Sequence, residues 1–141
     1  MNTKQLLLGT LLGGVLFFFL GWLLFGILLE SVLQPNCNTS ISLPMEEMRF
    51  GPLILSNLIW GLLLTLSLQW NQQKGLMGGL KTGAVIGLLV SAAMDLSLYS
   101  MTTYFNGLKG VVMDVMANTL LYALAGSLLG LILFKAPKEA A

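Results

Sequence analysis

The sequence predicts an all-α, polytopic membrane protein: a bundle of four transmembrane helices with both termini on the cytoplasmic side. Three observations carry this. Of 141 residues, 56% are hydrophobic and only 9% charged, with a mean hydropathy of +0.85, whereas soluble domains carry about a quarter charged residues. The apolar residues gather into four runs, each near the ~20 residues that cross a hydrocarbon core. The basic residues are divided unevenly between the two sides those runs define. The chain is expected to be a single transmembrane domain, with spans at about 6–33, 52–70, 78–104 and 108–134 and an outer loop at 34–51.

The first run begins after Lys4, contains several glycines and closes with Glu30. A signal peptide also starts with a charge and an apolar run, but this run exceeds an h-region and no small-residue cleavage pattern follows it. A retained helix is expected. Gln34-Pro35-Asn36, Pro44 and Gly51-Pro52 then break the chain. Between them, Pro44 to Phe50 is expected to form a short helix at the membrane interface. The second run ends at Trp70, and Asn71-Gln72-Gln73-Lys74-Gly75 separates it from the third. Asn106-Gly107 separates the third from the fourth. Backbone polar groups cannot stay unpaired in lipid, so the spans are helices or barrel strands. The alternation that a barrel strand requires is absent. An even number of spans puts both termini and the second connection on one side, with Lys4, Lys74, Lys81, Lys135 and Lys138, against Arg49 and Lys109 on the other. By the positive-inside rule the richer side is cytoplasmic.

Composition also excludes functions. There is no histidine and one cysteine, Cys37, which removes the usual ligands of zinc, copper and iron–sulfur centres and the Ser–His and Cys–His catalytic pairs. No metal or other cofactor is implied. A net charge of +1 without a basic cluster argues against nucleic acid. The partners implied are the lipid bilayer and either copies of the chain or another membrane protein. Cys37 faces the non-cytoplasmic side, either as an inert free thiol or as a link to another chain. Asn38-Thr39-Ser40 fits a glycosylation pattern that matters only in a eukaryotic secretory pathway.

Small residues four apart bring membrane helices into close contact. Gly79, Gly83 and Gly87 are followed at the same spacing by Ser91, Asp95 and Tyr99. The fourth span carries Asp114, Asn118, Tyr122, Gly126 and Gly130 at that spacing, and the first carries Gly9 and Gly13, then Gly21. Each four-residue step drifts about 40° around the helix, which sets Asp95 about 120° from Gly83. The glycine and carboxylate ends are therefore expected to meet different neighbours.

All four helices place polar groups toward the outer side. Asp95 lies roughly 12 Å below the outer end of its span and Asp114 roughly 8 Å. Asn57 and Asn118 fall at similar depths, and Glu30 ends the first span. An intramembrane carboxylate costs about 2.5–3.5 kcal/mol on insertion scales and normally faces the bundle interior or water. Two carboxylates in one low-dielectric site cannot both ionise cheaply. The cluster of Asp95, Asp114, Asn57, Asn118, Tyr99 and Glu30 reads as a proton- or cation-binding site, as a hydrated vestibule, or as a structural hydrogen-bond network with Asp114 favoured by its helix dipole. Trp70 and Tyr104 suit an interfacial belt. Trp22 and Trp60 lie deeper, as packing residues or as stacking partners for an apolar ligand. Ser56-Asn57 and Ala117-Asn118 put a small–Asn pair in corresponding helices, as two related hairpins would.

Lys4-Gln5-Leu6-Leu7-Leu8-Gly9-Thr10, Phe17-Phe18-Phe19-Leu20-Gly21-Trp22, Gly78-Gly79-Leu80-Lys81-Thr82-Gly83-Ala84 and Met94-Asp95-Leu96 together resemble small four-helix bacterial membrane proteins. These are frequent in Bacteroidota and similar to a broader bacterial membrane family labelled a domain of unknown function. The resemblance implies a bacterial inner-membrane location and brings no activity or site residues. Three functions stay open: a non-enzymatic accessory subunit or homo-oligomeric component, favoured by the small-residue stripes; an oligomeric channel or transporter centred on Asp95; and a membrane enzyme using the two aspartates as an acid–base pair, which lacks any accompanying nucleophile, metal motif or phosphate loop.

Overall fold

Local chemistry starts and stops each helix in the computed structural model, which describes residues 2–71 and 74–135. Gln72, Gln73 and Lys138 lie outside the described residues. Helix α1 (Thr3–Leu23) is capped by the Asn2 side chain, which accepts from the Lys4 and Gln5 amides at 3.1 and 3.4 Å. It runs on into a π-helical turn at Leu24–Leu28, where the Leu29 amide donates to the Leu24 carbonyl at 2.7 Å. The expected unbroken span of 6–33 is thus divided. Gly26 sits within the wide turn, where a missing side chain lets the backbone loosen, and a short helix α2 (Glu30–Leu33) follows.

The expected interfacial helix at 44–50 reduces to a single 3-10 turn at Met45–Glu47, followed by extended Met48. Too few residues separate Pro44 from the next helix to repay helix nucleation. Helix α3 (Phe50–Trp70) carries Pro52 in its first turn, where the absent N–H is not needed. Helix α4 (Gly75–Met101) stops three residues short of the expected Tyr104. Thr102 turns extended, its hydroxyl donating to the Leu98 carbonyl at 2.7 Å. The residues that follow pair with the first loop instead: the Asn38 amide donates to the Tyr104 carbonyl at 2.6 Å, the Asn106 amide to the Asn36 carbonyl at 2.9 Å, and Cys37 bridges Phe105. Helix α5 (Leu108–Leu133) completes the chain.

α1 with its π turn, α3, α4 and α5 span 26, 21, 27 and 26 residues, and each is long and apolar enough to cross a membrane. Large apolar side chains, among them Leu11, Phe19, Ile59 and Leu89, cover their outward faces.

The helices pack as two antiparallel pairs. α1 lies on α3 with Gly13 against Gly61, so close that a Cβ on Gly13 would stand 2.7 Å from the Gly61 Cα, and Gly9 fits beneath Thr65. α4 lies on α5 in the same manner. A Cβ on Gly79 would strike the Gly126 carbonyl, one on Gly83 the Tyr122 carbonyl, and one on Gly130 the Gly75 carbonyl. Gly75 opens α4 with a positive φ of 76°, a conformation open to glycine, and its amide donates to the Phe134 carbonyl at 2.6 Å. Side chains join the two pairs: Phe17 and Tyr122 meet edge to face at 4.7 Å, Trp60 and Tyr122 at 5.8 Å. Leu64, Leu68, Ala125 and Leu129 fill the half toward the termini.

Candidate functional site

The every-four stripe that zips α4 onto α5 does not end with its glycines. Beyond Gly87 it continues through Ser91 to Asp95, both buried, and the Asp95 carboxyl comes within hydrogen-bonding reach of Asp114 on α5. The expectation that glycines and carboxylate meet different neighbours is corrected. α5 bears the same stripe, both ridges incline equally to their axes, and interdigitated i±4 ridges stay in contact as they drift.

Around that pair the polar groups form a shell. Asn118 donates from Nδ2 to Asp114 Oδ2 at 2.8 Å and to the Asp114 carbonyl at 3.1 Å. Asp95 is only 6% exposed, and its Oδ2 is buried with no hydrogen-bond partner among the described residues. Asp95 borders a cavity of about 290 Å³ between the two helix pairs, which Asn57, Trp60, Ser91, Asn118 and Tyr122 also line. The donors here are turned inward: Asn57 Nδ2 and Ser56 Oγ donate to the Leu53 carbonyl, each at 2.8 Å, and Ser91 Oγ to the Gly87 carbonyl at 2.5 Å. Among the described residues no Lys or Arg lines the cavity. Serine and asparagine side chains whose donors are already engaged line the space beside the carboxyl pair.

Four of the residues singled out by sequence, Asp95, Asp114, Asn57 and Asn118, come together at this one place. Two do not. Tyr99, one step further along the stripe, is exposed; the next stripe position on α5, Gly110, packs instead against Asn36 and Phe105. Glu30 is exposed on α2 and accepts from Gln34 Nε2 at 2.8 Å. Gly79, Gly83, Gly87, Gly126 and Gly130 all lie in the α4–α5 seam.

Cys37 and Tyr104 belong to the site and escaped sequence reasoning. The pairing of residues 36–38 with 104–106 hangs them beside the carboxyls, with the Cys37 thiol next to the Tyr104 hydroxyl. Burial, then the charges of Asp114 and Asp95, pushes the Cys37 thiol above its ordinary value. Tyr104 is raised as well, first by burial and then by Cys37 and the two carboxyls. Both therefore stay protonated at neutral pH, and Cys37 is a poor nucleophile there. Helical periodicity carries no trace of contacts between two irregular segments so far apart in sequence. Among the described residues no three His, Cys, Asp or Glu side chains gather as a metal site.

No protein-family model matches the chain, and no curated protein or solved structure matches it either.

Proposed function

We propose that this chain is a multi-pass protein of the bacterial inner membrane, termini in the cytoplasm, that binds and exchanges a proton or cation at Asp95 and Asp114 as part of a carrier. The observation that carries this reading is the buried Oδ2 of Asp95, without a hydrogen-bond partner among the described residues, set beside a second carboxyl and a cavity lined by Asn57, Ser91 and Asn118. A structural network would pair that oxygen, since buried polar groups without partners are costly. A cation or proton completes it. The thiol beside the carboxyls, Cys37, is held protonated and is a poor nucleophile, which favours a non-enzymatic reading. The sequence favours an accessory subunit or homo-oligomeric component, on its small-residue stripes, small soluble mass and lack of a catalytic constellation. The stripe glycines Gly79, Gly83, Gly126 and Gly130 pack within the chain, helix against helix, which weakens the first of these grounds.

On this reading the cavity faces the non-cytoplasmic side, with Arg49 and Lys109, and the half toward the termini is sealed by Leu64, Leu68 and Leu129. Passage then requires the two helix pairs to rock about the aromatic contact between them, as repeats do in many carriers. The partners are the bilayer and copies of the chain or another membrane protein. The test is proton and cation flux in proteoliposomes. Wild type dissipates an imposed gradient, and Asp95→Asn loses at least about 90% of that flux, matching removal of an obligatory intramembrane carboxylate, while helicity and elution volume are unchanged. Unchanged flux in a folded Asp95→Asn protein sinks the reading.

A further inference from the structure

An apolar groove of about 650 Å³ adjoins the polar cavity. Phe18, Trp22 and Phe25 wall it on one side, and Met45, Met48 and Phe50 on the other. The two spaces share Phe17, Gly21, Leu53 and Asn57 as a border. At that border a Cβ built on Gly21 meets nothing within 4 Å, so the two spaces adjoin with room beside Gly21.

The two ends ask for different chemistry. The groove is lined by aromatic, Met and Leu side chains and carries no charged group. The cavity presents a bare carboxylate oxygen, with Trp60 and Tyr122 beside it. A phosphate or carboxylate head would confront Asp95 and Asp114 with no basic residue to offset them. An ammonium head reverses that sign, and aromatic faces attract cations further.

We propose that the joined spaces bind an amphipathic ammonium compound, with its cationic head at Asp95 and its alkyl chain along Trp22, Met45 and Phe50. This rests on the cation-site reading of Asp95 given above and names its ligand. Two carboxyls this close cannot both ionise cheaply, so binding of the head displaces one proton from the pair, and that proton leaves to bulk water.

The experiment uses the full chain in phosphatidylcholine nanodiscs, weakly buffered at neutral pH. The probe is bromodecyltrimethylammonium, whose bromine quenches nearby tryptophan and whose charge is permanent. Quenching is expected to saturate, and excess decyltrimethylammonium to reverse it where decanol and decyl sulfate do not. About one proton is released per cation bound, since the two charges compete for one site. Asp95→Asn weakens binding roughly a hundredfold, as loss of a buried charge partner does. Gly21→Leu, whose Cβ meets nothing within 4 Å and whose side chain fills space at the border, weakens it by about tenfold or more by crowding the ligand. Equal reversal by decanol, or undiminished binding in Asp95→Asn, overturns the proposal, because the groove then takes any alkyl chain. Absence of saturable binding overturns it too. In that event Asp95-dependent flux in proteoliposomes leaves the cation-site reading standing, and loss of both removes both.

Discussion

Asp95 is a residue held in place at a cost to stability. Its unpartnered Oδ2 sits in the bundle beside another carboxyl, an arrangement that a purely structural role would replace with a neutral donor. Asp95→Asn supplies that donor, since its amide can bond Asp114 with no shared proton. The variant is expected to be more stable than wild type by about 1 kcal/mol or more, measured by unfolding in detergent with circular dichroism, even as it loses flux. A destabilised variant would instead make Asp95 a structural residue. Cys37 reports on the same carboxyls from outside the spans. Its thiol is raised by burial and by Asp114 and Asp95, so alkylation by iodoacetamide is expected to be slow at neutral pH and to rise with a midpoint above 9.0, the thiol's ordinary value. Asp114→Asn removes one negative neighbour and moves that midpoint down. A group whose folded value is raised contributes stability below its unfolded value and loses it as pH rises through the folded one. The clamp between the first loop and the 102–107 turn is therefore expected to weaken only in alkali.

At the scale of elements, the two glycine seams decide which helices are neighbours. Backbone meets backbone at Gly13–Gly61 and Gly79–Gly126, so a single methyl has nowhere to go. Gly83→Ala places its Cβ against the Tyr122 carbonyl and is expected to cost about 1–3 kcal/mol by forcing α4 and α5 apart. Gly21→Ala meets nothing and is expected to leave stability equal or higher by up to about 1 kcal/mol. Comparing the two by unfolding in mild detergent separates seam from surface. Much of this level was legible in the sequence. Hydropathy located four helices to within a few residues, and the every-four spacing of Gly79, Gly83 and Gly87 with Asn118, Tyr122 and Gly126 held the α4–α5 register. Treating each stripe against a straight axis hid the meeting of Asp95 with Asp114, because two drifting ridges stay in contact when both drift together. The π turn at Leu24–Leu28 and the loop pairing through Cys37 and Phe105 were not legible, since neither leaves a periodic signature.

The whole molecule is two helix pairs. Within each pair the helix main chains touch, whereas between pairs the helices meet through side chains, chiefly Phe17 and Trp60 against Tyr122. Among the described residues, main chain joins main chain between the pairs only at the rim, where residues 36–38 pair with 104–106. The cavity with Asp95 lies on that joint, drawing Asn57 and Trp60 from one pair and Asp95 and Asn118 from the other. On the proposed carrier reading, rocking would open or close this joint without unzipping either seam, with the pairing of residues 36–38 and 104–106 as its hinge. The division can be tested by expressing residues 1–71 and 74–141 as separate chains in one host. Each is expected to insert and retain a helical hairpin by circular dichroism, and the two to co-purify. Tyr122→Ala, which deletes the ring shared by both aromatic contacts, is expected to weaken co-purification by about 3 kcal/mol or more while each half keeps its helicity. If the halves lose helicity when parted, the bundle folds as one cooperative unit, and rigid-body rocking about Tyr122 cannot be how Asp95 gains access to the opposite side.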